Sequence, residues 1–143
     1  MLDSILMWRW FGRNKKPEAG SEIEVLRGAP AHARTKTYSA ETGFVYQYVY
    51  RGYRLLPDSI EFVFEASRSR NQSLAINIRL CDSALAECAR QVGRELLTNE
   101  RYAIAKMTLF AAFDEYPDTA QLSVPLIPHA QDMERHLRVL GRV

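Results

Sequence analysis

In the segment GFVYQYVY four aromatic rings occupy alternate positions, Phe44, Tyr46, Tyr48 and Tyr50, with Val45, Gln47, Val49 and Arg51 between them. In an extended strand alternate side chains share a face, so the rings build an aromatic row on one side of a sheet. Each ring can bury roughly 150 Å² or more, which brings the row near the largest apolar patch a soluble monomer normally exposes. The row therefore needs a cover. If the chain's own helices supply it, the row is core; if a nucleic acid or a partner protein does, the row is a site.

Two more alternating segments follow. One places Ile60, Phe62, Phe64 and Ala66 on one face against Glu61, Val63, Glu65 and Ser67; the next places Leu74, Ile76, Ile78 and Leu80 against Ala75, Asn77 and Arg79. These read as half-buried strands, joined by a turn-rich stretch at 52–59 and a polar hairpin loop, SRSRNQS. An antiparallel meander with one wet face is the natural assembly. The outer face then carries Arg51, Glu61, Glu65 and Arg79, able to pair across strands.

The cover comes next in the chain. Asp82 or Ser83 caps a helix with Leu85, Cys88, Ala89, Val92 and Leu96 at helical spacing, ending near Leu97. Thr98 caps a second helix over 99–115, apolar on nearly every side and so central. Residues 121–127 read as an edge strand, because Pro125 has no ladder donor, and 132–140 as a last helix. The expected fold is α+β in the order βββααβα: a mainly antiparallel sheet of four to five strands with two to three helices on one face. A further strand near Ala40 and the one beginning at Gln121 are the least marked of these elements.

A chain of 143 residues fits one domain. The net charge of +2 is low for a dedicated polyanion binder, and the basic excess sits at the front. There, Trp8, Trp10 and Phe11 adjoin Arg13, Lys15 and Lys16. The division expected is an amphipathic basic arm and linker over 1–34, with a short strand at 22–26, followed by a single domain over 35–143. The arm lacks the pattern of a signal peptide. It suits docking on a protein surface, its own or another copy's, or in-plane attachment to an anionic membrane, which one short apolar turn would support only modestly. With two cysteines in the chain, no secretory signal and no apolar run of about 20 residues, the expected location is the cytoplasm, with peripheral membrane attachment as the variant.

Chemistry is sparsely signposted. Cys81 and Cys88 with His129 and His136 resemble a zinc set, but seven residues of helix separate two sulfurs by about 10 Å, too far for one metal. No metal or cofactor is expected, and Cys88 reads as a small core residue. The chain carries no nucleophile elbow, phosphate-cradling glycine loop or HExxH helix, so no catalytic residue is named and no small-molecule substrate is identified. Asp114, Glu115 and Asp118 gather where the second helix ends, against its dipole. Arg51, Arg54, Arg68 and Arg70 form the anion-binding or nucleic-acid candidate. A sheet that stacks RNA bases needs its rings on the exposed face, whereas these rings fall on the covered one.

The function expected is thus a non-catalytic protein-interaction or adaptor domain. It would dock a protein partner or a second copy through Trp8, Trp10, Phe11, Arg13, Lys15 and Lys16. The alternatives are a nucleic-acid-binding domain using the four arginines and a peripheral membrane-surface protein anchored by the arm. The row keeps one functional prospect: the hydroxyls of Tyr46, Tyr48 and Tyr50 need partners or water, so these residues line a pocket wherever the helix cover is incomplete.

Overall fold

The computed structural model describes residues 26–143. Four strands, β1 (Lys36–Ser39), β2 (Val45–Leu56), β3 (Ser59–Ser69) and β4 (Gln72–Cys81), form an antiparallel meander in that spatial order. Tyr48 lies opposite Ala66, Tyr50 opposite Phe64, Phe64 opposite Ile76 and Phe62 opposite Ile78. Directly opposed residues share a face, so this register gathers rings and aliphatic side chains on one side. Tyr46, Phe64, Ile76 and Ile78 are buried there.

Helices cover that side. α1 (Asp82–Val92), α2 (Thr98–Glu115), a single turn α3 (Thr119–Leu122) and α4 (Ala130–Val139) all follow the sheet in the chain. α2 lies along the aromatic row: Phe113 stacks on Tyr46 with centroids 3.9 Å apart, Phe110 on Tyr38 at 4.3 Å, and Tyr102 meets Tyr50 edge-on at 4.9 Å. Such contacts add to the area term that drives burial. The α+β fold with an antiparallel sheet and one covered face is as the alternating segments require, and β1 near Ala40 supplies the fourth strand.

Several boundaries differ from the sequence reading, each for a local reason. β2 does not stop at Gly52 but runs to Leu56, because a bulge between Tyr50 and Gly52 absorbs one residue and returns Tyr53 to the covered face opposite Phe62. Gly52 makes this possible. Its φ is +127°, and a Cβ there would lie 2.6 Å from the Arg27 carbonyl oxygen. The hairpin loop SRSRNQS shrinks to a turn at 70–71, since β3 and β4 continue into it through a second register shift after Ala66.

α1 ends at Val92, not near Leu97, because Gly93 takes a left-handed conformation at φ 82° and returns its N–H to the Ala89 carbonyl. Leu96 is buried from the connection instead. Thr98 opens α2 from inside its first turn; the carboxylate of Glu100 accepts the Leu97 N–H at 2.8 Å and does the capping. The strand expected over 121–127 is reduced to one parallel bridge between Leu126 and Ile78. Asp118 accepts the Ala120 N–H and starts the helical turn α3, and Pro125 and Pro128 remove ladder donors on either side of the bridge.

The stretch read as linker is partly bound to the sheet. Arg27 and Tyr53 exchange two backbone hydrogen bonds of 2.8 and 2.9 Å beside the bulge. Residues 28–35 then lead along the β2 side into β1. Except for Leu26, the strand expected at 22–26 lies outside the described residues, as does the whole arm.

Candidate functional site

The four arginines singled out from the sequence do not converge. Arg51 donates to Glu65 at 2.8 Å, and Arg54 reaches Glu61 at 3.1 Å, both on the uncovered face. Arg79 joins the same Glu61 at 2.9 Å. Arg68 sits at the other end of β3, about 23 Å along the strand from Glu61 at 3.3 Å per residue. It donates to the Pro117 carbonyl at 2.6 Å and the Tyr46 hydroxyl at 3.2 Å, and its guanidinium lies 3.7 Å from the Phe44 ring centroid. Arg70 stands exposed in the hairpin turn. Three of the four thus already serve protein acceptors.

The acids at the end of α2 are likewise employed. Asp114 accepts from the Tyr38 hydroxyl at 2.7 Å and the Glu41 N–H at 2.9 Å, and Asp118 caps α3. Glu115 alone of the three is left facing a groove. The docking residues Trp8, Trp10, Phe11, Arg13, Lys15 and Lys16 lie outside the described residues.

A different set of groups comes together where the helix cover thins. Between the start of α2, the β1–β2 edge and residues 28–34 lies a cavity of about 400 Å³. Tyr48 and Tyr50 enter it from the row, Tyr102 from α2, His32 and Arg34 from the lead-in, and Lys36 from β1, with Gly28 and Pro30 closing the rim. Lys36 belongs there by register: it stands opposite Tyr48 and so shares the covered face. Lys106, one turn after Tyr102 on α2, brings its ammonium up to that of Lys36. Tyr38, next on the same face of β1, is clamped to α2 by its stack on Phe110 and its bond to Asp114.

The electrostatics of this cavity are one-sided. Among the described residues no acid lines it, and Arg34, Lys36 and Lys106 take part in no ion pair with an acid. Burial, then the nearby Tyr102 and Tyr53, pushes the Tyr50 phenol up to about 12. Burial also raises Tyr48, with a smaller push from Tyr102, and raises Tyr102 itself. All three hydroxyls stay protonated and able to donate. Lys106 is lowered by burial and then by Lys36. The pocket therefore offers ammonium, guanidinium and phenol donors against rings, a combination suited to an anion with an apolar body.

A second concavity of about 430 Å³ lies between the end of α2, residues 121–128 and α4. Val124 and Ile127 are 57% and 49% exposed beside it, which marks an apolar wall. Asp132 accepts the His129 N–H at 3.0 Å and pairs with Arg135 at 2.7 Å, so the one guanidinium of this lining is already matched and Glu115 remains beside it. His136, buried at its base, is lowered by that burial and by Arg135. The volumes are alike, and unbalanced charge makes the tyrosine pocket the more specific site.

Among the described residues no cluster of three metal-ligating side chains exists. Cys81 precedes α1 and Cys88 is buried in the core from the same helix. Among the described residues no helix is long and apolar enough to cross a membrane. Tyr48 and Tyr50 were legible as pocket residues from the row; Arg34, Lys36 and Tyr102, and the neighbouring Lys106, were not. The only signal for Lys36 was its parity with Tyr38, which means nothing until the β1–β2 register is known. No family model matches this chain, and searches of curated proteins and of solved structures return no match.

Proposed function

We propose that this chain is a non-catalytic binding domain that takes an anionic ligand in the pocket formed by Tyr48, Tyr50 and Tyr102. The observation that supports it is the positive charge of Arg34, Lys36 and Lys106 around that pocket, with which no described acid forms an ion pair. Edge strands do carry inward-pointing lysines to prevent edge-to-edge pairing. That role accounts for Lys36 alone, not for a second ammonium brought against it. Two like charges brought close repel, and more strongly at a protein surface than in open water. An anion between them turns this repulsion into attraction.

The test is thermal unfolding of the full chain with phosphate, sulfate, citrate and acetate at matched ionic strength, beside a Lys36→Gln/Lys106→Gln variant. A saturable rise in Tm with one or more anions, absent in the variant, is the expected result. Equal shifts in both proteins, or none with any anion, reject the reading.

A second reading, protein docking, draws on the exposed Val124 and Ile127 beside the α2–α4 groove. Its partner segment would be aromatic and basic, as 8–16 is in this chain. Deleting residues 2–16 should reduce hydrodynamic size or partner capture; unchanged values for both remove it.

A further inference from the structure

The tyrosine pocket has more charge and more room than a simple anion uses. We propose that its ligand is a phosphomonoester borne on a flat ring, either a mononucleotide or the 5′-phosphorylated end of a single strand, with the phosphate between Lys36 and Lys106. This rests on the anion-binding reading above.

Charge argues for the phosphate. Arg34 and Lys36 line the cavity, Lys106 stands beside Lys36, and among the described residues no lining acid offsets these three positive groups. A monocarboxylate compensates one; a phosphomonoester carries about −1.5 to −2 near neutrality, with three acceptor oxygens to share among ammonium, guanidinium and phenol donors. Lysine heads act as point charges on phosphate, and the Arg34 fork adds directional donors. With Tyr38 clamping β1 to α2, the backbone positions of Lys36 and Lys106 are set before a ligand arrives.

Volume and wall chemistry argue for the ring. A cavity of about 400 Å³ is several times the space a phosphate group occupies. The remainder is walled by the phenol rings of Tyr50 and Tyr102, both half-buried and set edge to face at 4.9 Å, and by Pro30. Aromatic walls of this kind receive a base by stacking and do so with little sequence preference.

Calorimetric titration of the full chain decides this. The probes are AMP, UMP, adenosine, ribose 5-phosphate, benzoate, and tetranucleotides with a 5′-phosphate or a 5′-hydroxyl. AMP and UMP are expected to bind, with adenosine and ribose 5-phosphate each weaker by about tenfold or more, the worth of one charge-assisted contact or one stacked base. Lys106→Gln and Lys36→Gln should each cost the nucleotides about tenfold and leave adenosine unchanged. Tyr102→Leu should weaken AMP more than ribose 5-phosphate; equal losses overturn the stacking role. A 5′-phosphorylated strand binding more tightly than AMP assigns the ligand to nucleic-acid ends, and the reverse assigns it to free nucleotides. Benzoate binding as well as AMP overturns the phosphomonoester while sparing the anion reading. Failure of every anion overturns both.

Discussion

Both faces of the sheet carry basic side chains, and they are used in opposite ways. On the uncovered face Arg54 and Arg79 converge on one carboxylate, Glu61, only 4% exposed, while Arg51 holds Glu65 and Ser73 supports the same carboxylate at 2.8 Å. At the edge of the covered face Arg34, Lys36 and Lys106 gather with no acid among the described residues around them. A cation with a carboxylate partner is part of the fold, and its charge is spent. A cation that the fold places next to another cation keeps a field that a bound anion would neutralise, which is what the proposed function draws on. Composition does not distinguish the two groups; cross-strand partners do.

This contrast can be broken most forcefully at Glu61. Replacing it with Ala leaves two partly buried guanidiniums facing each other, and removal of one member of a buried ion pair costs about 3 kcal/mol or more. Urea unfolding should show a midpoint loss of that size, with anion-induced stabilisation surviving in the folded protein. A loss confined to a few tenths would mean that the uncovered face is no more than a solvated surface.

Next in size is Glu100, buried at the start of α2, where Arg94 at 2.9 Å, the Leu97 N–H and Arg142 hold its carboxyl down to about 2. A depressed carboxylate contributes stability in full above its unfolded pKa, and that contribution is lost as pH falls through the folded one. Stability should therefore drop between about pH 4.5 and pH 2 in the native chain. Glu100→Ala should cost about 2 kcal/mol at neutral pH and flatten part of that acid limb. An unaltered acid limb would show that other carboxylates govern it.

The smallest effect on stability belongs to the pocket. Lys36→Gln should change unfolding free energy by no more than about 0.5 kcal/mol, and in the stabilising direction, because it removes a repulsion. Lys106 adds a pH signature. Its folded pKa is lowered by burial and Lys36, so between folded and unfolded values the unfolded chain binds more protons. Ligand-free stability should rise with pH through that window, and anion affinity should fall there as Lys106 loses its charge. Lys106→Gln should abolish both trends. If Lys36→Gln destabilises the domain by more than 1 kcal/mol, as a salt bridge would, the contrast between the faces is wrong.

The alternation of 44–50, 60–66 and 74–80 was enough to assign the residues of those three segments to a face, because a period of two leaves no other choice once one face is apolar. The dense apolar run of 99–115 marked the central helix for the same kind of reason. The ion pairs of Arg51 and Arg79 followed from those faces. The bulge that carries β2 through Gly52 was not legible, since it depends on the Arg27 backbone approaching from a segment that reads as linker. Nor was the short turn α3, where an aspartate cap competes with an edge strand whose hydrogen bonds the flanking prolines interrupt. The pocket depended most on long-range geometry. Lys36 and Lys106 are seventy residues apart, and nothing local relates an edge-strand lysine to a helix lysine. Parity and helical period are properties of neighbouring residues, so they appear in the sequence; the meeting of β1 and α2 over an incomplete helix cover is a property of packing and appears only in the folded chain.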